Sequence, residues 1–190
     1  MNEVKKPERG SVREDLIRAG VEILAQPDPD NLTLRRIAAR AGVSHAAPAH
    51  YFEGLPGLRV AIAIRGFTMF AEAMEAAEAE APDDAFERLN LISLTYIDFS
   101  ERYRGLFRLM FDELVVPTPE LSQIAIRSYL VLQNASRPFA DPSAPSLTET
   151  AIWSLIHGFA TLNLGRPRAK SAPFPQPNCT LLLRKLVQHP

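Results

Sequence analysis

The fold is decided by residues 32–58, which read LTLRRIAARAGVSHAAPAHYFEGLPGL. Four apolar residues recur there at the i, i+3, i+4 and i+7 spacing of one helix face: Leu34, Ile37, Ala38 and Ala41. Thr33 is a suitable N-cap for that helix, and Gly42 is expected to end it because glycine adopts a left-handed conformation without a steric penalty. A second short helix is expected to begin at its cap, Ser44, and to run to about Tyr51. The stretch therefore predicts two short helices joined by a tight turn.

The first of these helices has a basic outer side. Arg35, Arg36 and Arg40 fall away from the apolar face, and no acidic residue occurs between Leu32 and Phe52. Surface arginines in most proteins only face solvent. Two crossed helices with a glycine in the turn and a basic exposed side are typical of a helix-turn-helix, however, and Coulomb attraction to phosphates supplies most non-specific DNA affinity. We therefore expect at least one of the three arginines to contact DNA.

These residues resemble the tetracycline-repressor (TetR) family of bacterial one-component regulators. The resemblance rests on TLRRIAARAGVS at residues 33–44 and on Tyr51-Phe52, and HAAP at residues 45–48 resembles one subgroup. It implies that the second short helix enters the DNA major groove. The DNA contacts implied by the resemblance and the basic face together are Thr33, Arg35, Arg36, Arg40, Ser44, His45, Ala46, Ala49, His50 and Tyr51.

The sequence departs from the family pattern at two positions. The family usually has a tyrosine where this chain has Ala49 and a lysine where it has Leu55. Both residues normally contribute phosphate contacts. One alternative function is therefore a degenerate family member that dimerises but binds DNA weakly.

The composition limits which classes of protein this chain can belong to. The chain has 190 residues and a formal net charge of -1, so only a local basic patch could bind nucleic acid. The single cysteine, Cys179, excludes an intrachain disulfide and a multi-cysteine zinc site. The chain shows no membrane-spanning apolar run and no secretory leader, so we expect a cytoplasmic protein.

The rest of the chain shows helical spacing of apolar residues and no alternating strand pattern, which predicts an all-α fold. We expect residues 1–54 to form a three-helix DNA-binding domain with a disordered tail at residues 1–10. Residues 55–190 are expected to form a larger helical domain for ligand binding and dimerisation. Leu55-Pro56 opens a long helix that is apolar on two faces and would connect the two domains.

An interior rich in aromatic and sulfur-containing side chains is predicted for the larger domain. It is either plain core or an effector pocket between helices. The candidate pocket residues are Phe67, Phe70, Phe99, Tyr103, Met110, Phe111, Tyr129, Trp153 and His157. Trp153, His157 and Gly158 also form a Trp-x3-His-Gly pattern that resembles a C-terminal domain of one TetR subgroup. For His157 itself we favour a structural role, hydrogen-bonded inside the protein.

The leading functional hypothesis is a homodimeric repressor that leaves its DNA operator when a small apolar or aromatic effector binds. Two recognition helices about 34 Å apart are needed to meet two half-sites, which is why a dimer is expected. An all-α enzyme is the alternative from another class, but no Gly-x-Ser-x-Gly, Walker or metal-binding motif supports it. His45 and His50 are five residues apart, so they do not match paired helical zinc ligands. No cofactor is expected.

Overall fold

The structure, a computed structural model, describes residues 9–26, 32–112, 115–165 and 176–188. In these ranges the chain forms eight α-helices and no strand, which confirms the predicted all-α class. The helices are α1 (Arg9–Leu24), α2 (Leu34–Ala41), α3 (Gly54–Ala79), α4 (Ala85–Arg102), α5 (Arg104–Met110), α6 (Pro119–Ser136), α7 (Pro145–Thr161) and α8 (Cys179–Gln188). Short 3-10 helices lie at Ala47–His50 and Arg137–Phe139.

The chain divides into two compact units. The first unit comprises Met1–Phe67 and Tyr103–Leu121, and the second comprises Thr68–Arg102 and Ser122–Pro190. These units are not the functional domains predicted at residues 1–54 and 55–190, and that functional division stays a prediction. Most of the predicted tail at residues 1–10 lies outside the described residues, but residues 9 and 10 already belong to α1.

Close contacts hold the helices of the first unit together. A Cβ on Gly20 would clash with Ile62 Cδ1, and a Cβ on Gly66 would lie only 2.8 Å from Met110 Sδ. Glycine therefore lets α1 and α5 each approach α3 closely. Arg65 Nη2 also donates to Glu14 Oε2 over 2.6 Å. Packing of this kind decides where the α1 helix lies.

Side chains cap the starts of three helices. Asp84 Oδ1 accepts a hydrogen bond from Glu87 N, Thr118 Oγ1 from Leu121 N, and Asn178 Oδ1 from Leu181 N. Two serines near helix starts that could serve as caps from sequence do not. Residue 11 lies inside α1, which begins at Arg9, and α7 begins at Pro145 rather than after a Ser146 cap, with Ala144 at the N-cap. Proline is preorganised for the first helical position because its φ is already helical.

The second unit has an apolar core shared by α4, α7 and α8. Leu89, Ile92, Ile152, Ile156 and Leu183 are all fully buried. Polar contacts also join α8 to α4. Thr180 Oγ1 donates to Asn90 Oδ1 over 2.8 Å, and the Arg184 guanidinium lies 3.8 Å from the centroid of the Phe86 ring.

Candidate functional site

The α2 helix begins and ends as predicted. The Thr33 Oγ1 atom accepts a hydrogen bond from the Arg36 backbone N–H over 3.2 Å, which caps the helix. Gly42 has φ 69° and ψ 26°, the left-handed conformation that a side chain would strain. Its N–H and that of Val43 return to the carbonyls of Ala39 and Ala38. These bonds provide hydrogen-bond partners for two carbonyls in the last turn of α2. The chain changes direction at this point and leaves the helix.

The second element of the motif differs from the prediction. Residues 47–50 form a 3-10 helix, not an α-helix, and the Ser44 side chain does not cap it. The reason is Pro48, which has no N–H to donate to the Ser44 carbonyl. That carbonyl accepts from the Ala47 N–H instead, in an i to i+3 bond of 3.0 Å. We call residues 44–51 the recognition segment.

The recognition segment has a solvent-exposed side and a buried side. Pro48 is buried, Ala47 and Tyr51 are half-buried, and Phe52 after the segment lies under the Arg13 guanidinium at 5.5 Å. The exposed residues are Ser44, His45, Ala46, Ala49 and His50. Five of the six contact residues predicted in this segment are therefore open to solvent, with two imidazoles among them.

The three predicted arginines are not equivalent. Arg40 Nε donates to Glu22 Oε2 of α1 over 2.7 Å, and Arg36 Nη2 donates to Gln26 Oε1 over 2.9 Å. The Arg35 side chain is exposed and makes no hydrogen bond or ion pair with another side chain in the described ranges. The expected acid-free surface was therefore wrong for Arg40, because the fold brings a glutamate from α1 beside it.

The predicted effector residues are divided between the two units. Phe67, Tyr103, Met110 and Phe111 lie in the first unit. The Phe111 ring is 5.5 Å from the Phe67 ring and 4.8 Å from the Phe107 ring. In the second unit, the buried Phe70 ring lies 4.9 Å from the rings of both Phe99 and Tyr96.

The second unit also contains a polar group inside its aromatic cluster. Tyr96 Oη and His157 Nδ1 are 2.8 Å apart, and Trp153 also hydrogen-bonds the Tyr96 hydroxyl. The Trp153 ring lies 5.7 Å from the Tyr129 ring. His157 is thus hydrogen-bonded inside the protein, as the favoured interpretation expected. The sequence did not single out Tyr96, since nothing in its own helix marks it as the partner of a residue 61 positions away.

Burial sets the protonation of this pair. It raises the pKa of Tyr96 well above its ordinary range, although the hydrogen bond with Trp153 partly opposes the rise. Burial also lowers the pKa of His157. At neutral pH both groups are therefore neutral. When His157 Nε2 carries the ring proton, the Tyr96 hydroxyl donates to His157 Nδ1.

Mild acid should destabilise the fold through His157. Its folded-state pKa lies below the ordinary value of about 6.5, so the unfolded chain takes up a proton first. The stability contribution is complete above about pH 6.5 and falls as the pH drops below it. Urea midpoints at pH 7.5 and 5.5 should therefore differ less in His157→Gln than in wild type. Equal pH dependence in His157→Gln and wild type would contradict the assignment.

One described cavity of the second unit lies away from the aromatic cluster. It measures about 300 Å³ and is bordered by the end of α6 and the start of α7, with Gln133, Arg137 and Glu149 as its longer polar side chains. None of the predicted effector residues contributes to it. Within the described ranges, no three histidine, cysteine or acidic side chains lie together as metal ligands. No described helix is long and apolar enough to cross a membrane.

Two families cover most of the chain between them. Residues 16–60 match the family described as bacterial regulatory proteins, tetR family. Residues 89–184 match the family described as tetracyclin repressor-like, C-terminal domain. No curated protein shows a significant sequence match.

Solved structures share the whole fold. A protein of unknown function from Rhodococcus sp. RHA1 is 24% identical with a TM-score of 0.74, over 99% of this chain and 96% of that one. The fatty acid degradation regulator FadR from Bacillus halodurans is 16% identical with a TM-score of 0.63, over 97% and 95%. The TetR family transcriptional regulator PfmR from Thermus thermophilus is 16% identical with a TM-score of 0.59, over 96% and 95%. At these identities the likeness concerns the fold.

Proposed function

Because the chain belongs to the TetR family of bacterial regulatory proteins and is a transcriptional regulator, we propose that it is a homodimeric repressor. In this proposal it binds operator DNA and is released by a small apolar or aromatic effector. The proposal places the protein in the cytoplasm and gives it no catalytic role. It also assigns the chain to the subgroup with the Trp-x3-His-Gly pattern at residues 153–158.

One observation supports DNA binding most directly. The left-handed turn at Gly42 ends α2, and the chain then presents His45, Ala46, Ala49 and His50 to solvent around the buried Pro48. Imidazoles can hydrogen-bond base edges or phosphates, and small alanines let the backbone approach the groove floor. We propose that this exposed side reads the major groove. Thr33, Ser44 and Tyr51 would lie near the phosphates beside it.

Among the arginines, Arg35 is the best candidate for a phosphate contact. Its guanidinium is not committed to another described side chain, whereas Arg40 has Glu22 and Arg36 has Gln26. An arginine already in an exposed ion pair can still meet a phosphate, but it must share or give up its partner. We therefore expect Arg35 to contribute more to DNA affinity than Arg40.

Replacing Arg35 should weaken binding to all DNA sequences alike. Arg35→Gln removes one phosphate contact, so the slope of log K against log salt should fall by about one unit for operator and random duplex. Arg40→Gln should change it less, and Arg137→Gln on the second unit should leave it unaltered. Fluorescence anisotropy over a salt series measures all three slopes. An unchanged slope in Arg35→Gln would show that α2 does not present this residue to DNA.

The effector site is proposed at the aromatic cluster of the second unit. Phe70, Phe99, Tyr129 and Trp153 supply apolar surface, and the Tyr96–His157 pair is a polar group that could orient a ligand. Predominantly apolar sites with few polar groups are typical of small-molecule pockets. Phe67, Tyr103, Met110 and Phe111 of the first unit stay candidates from sequence.

The dimer face is proposed on α7 and α8. Leu147 and Leu162 are each 68% exposed and Leu181 is 64% exposed, while Leu182 and Trp153 are also open to solvent. A Cβ on Gly158 would meet no atom within 4 Å, so a helix of a second copy could approach closely there. Several exposed apolar side chains on two neighbouring helices typically mark an interface. Two helices from each copy would make a four-helix bundle.

Mobility shift with the DNA upstream of the protein's own gene tests the whole proposal. We expect a retarded complex that contains one dimer per DNA site. Random duplex of the same length, added at equal concentration, should not displace the operator from this complex. Addition of an aromatic effector should release it. Absence of any complex at low salt would exclude a DNA-binding repressor.

Weak DNA binding is the second candidate, and one observation bears on it. Ala49 is exposed where the family usually has a tyrosine, and Leu55 at the start of α3 is half-buried where the family usually has a lysine. Both usual phosphate contacts are therefore missing from this surface. An operator affinity no better than that for random duplex would favour this alternative over the repressor.

A further inference from the structure

A second cavity lies within the first unit, apart from the aromatic cluster. It measures about 200 Å³ and lies where α1, α3 and α5 meet the segment that leads into α2. Three leucines, Leu24, Leu32 and Leu109, form its apolar walls. The other described residues that line it are Gly105 and three charged residues, Arg59, Arg108 and Asp112.

Arg59 has donor capacity that its described neighbours do not use. Its Nη2 donates to Asp112 Oδ2 over 2.7 Å, but its Nε is buried and has no hydrogen-bond partner in the described part of the chain. The Arg59 side chain is only 19% exposed. A buried guanidinium N–H that lacks a partner is costly. An anion in the cavity would interact favourably with the charge of this guanidinium, which is largely removed from water.

We propose that this cavity binds a small organic carboxylate. Its carboxylate oxygens would accept from Arg59 and Arg108, because guanidinium groups match a carboxylate in both charge and geometry. Its apolar part would pack against Leu24, Leu32 and Leu109. A bare inorganic anion would leave those leucine walls unfilled, which is why we favour an organic acid.

Because of the position of the cavity, a ligand bound there would contact residues next to the DNA-binding motif. Leu32 immediately precedes the Thr33 cap of α2, and Leu24 ends α1, which carries Glu22 opposite Arg40. A ligand that contacts both leucines and Arg59 would tie the start of α2 to α1 and α3. This site goes beyond the effector site proposed in the second unit, and neither proposal depends on the other.

Asp112 competes with the ligand for Arg59. Its carboxylate already accepts from one nitrogen of the guanidinium and repels a second anion nearby. Asp112→Asn removes that charge while keeping the side-chain shape. It should therefore tighten binding of a carboxylate, an effect opposite in sign to the loss of either arginine.

Thermal unfolding and titration calorimetry of the full chain test the proposal with three probes. Benzoate carries the carboxylate and an apolar ring, benzamide has the same shape without the charge, and inorganic phosphate has charge without an apolar part. We expect benzoate to raise Tm and to bind with measurable heat. We expect benzamide to do neither and phosphate to bind more weakly than benzoate.

The variants locate the site. Arg59→Gln and Arg108→Gln should each weaken benzoate binding roughly tenfold, as the loss of a charged hydrogen bond predicts. Arg108→Gln leaves the Arg59–Asp112 ion pair in place. It can therefore test the site even if Arg59→Gln does not fold. Arg137→Gln, at the cavity of the second unit, should bind benzoate like wild type.

Three results would overturn the proposal. The first is no benzoate binding to the wild type, which would leave only water in the cavity. The second is benzoate binding that is undiminished in both arginine variants. The third is phosphate binding more tightly than benzoate. Operator binding is not measured in this experiment, so its outcome is independent of the repressor proposal.

Discussion

Leu162→Asp combined with Leu181→Asp is expected to give a monomer that has lost most of its operator affinity. Both leucines are largely exposed in the single chain, at 68% and 64%, and lie at the end of α7 and on α8. In a two-fold dimer the double variant would place four aspartates in the interface. Burying like charges without partners costs more free energy than the remaining apolar contacts supply.

The loss of DNA affinity follows from geometry. In a dimer, binding of the first half-site makes binding of the second intramolecular, and linkage of this kind strengthens binding by roughly 10²–10⁴. A monomer forfeits that gain, so we expect operator affinity to fall by about a hundredfold or more while single half-site affinity is unchanged. Light scattering at micromolar protein and anisotropy with operator and half-site duplexes measure the two effects.

Val116→Asp is the matched control for this pair. Val116 is also 64% exposed but lies outside α7 and α8. It should keep both the dimer mass and the operator affinity. The assignment of α7 and α8 as the interface would be wrong if the double variant still had the mass of a dimer. It would also be wrong if the wild type were a monomer at every concentration.

Phe70→Ala is expected to destabilise the protein by about 3–5 kcal/mol, the range observed when a buried phenylalanine is truncated. Phe70 is 1% exposed, and its ring contacts the rings of Tyr96 and Phe99 at 4.9 Å each. Truncation would leave a cavity beside the Tyr96–His157 pair. Urea unfolding measures the change.

Phe111→Ala is the comparison for Phe70, because Phe111 is 38% exposed and loses less burial. We expect a smaller loss of stability there. Dry apolar cavities can take up benzene. Benzene should therefore raise the stability of Phe70→Ala more than that of wild type, and equal stability of Phe70→Ala and wild type would show that the ring is not a core residue.

The local features of the motif were predictable from the sequence. The Thr33 cap, the apolar face of Ile37 and Ala38 and the left-handed turn at Gly42 each depend on residues close together in the chain. Helix spacing and capping act over one or two turns, so a short window of sequence contains their causes. The same holds for the caps at Asp84, Thr118 and Asn178.

Local rules also failed where two of them competed. Ser44 is a good cap and the residues after it are compatible with an α-helix, but Pro48 removes a hydrogen bond that this helix needs. The chain forms a 3-10 helix instead. Likewise Pro145 starts α7 one residue before Ser146 could cap it. Proline decided both cases because it restricts the backbone covalently.

By itself the sequence determined an all-α chain with a capped helix, a glycine turn and a basic, partly exposed motif near its start. Only the tertiary structure decided which charges and polar groups meet. It placed Glu22 beside Arg40 across 18 positions and Tyr96 beside His157 across 61. It also left the buried Nε of Arg59 without an acceptor in the described ranges. Such pairs form because packing brings helices distant in sequence together, and the packing depends on side chains from several helices at once.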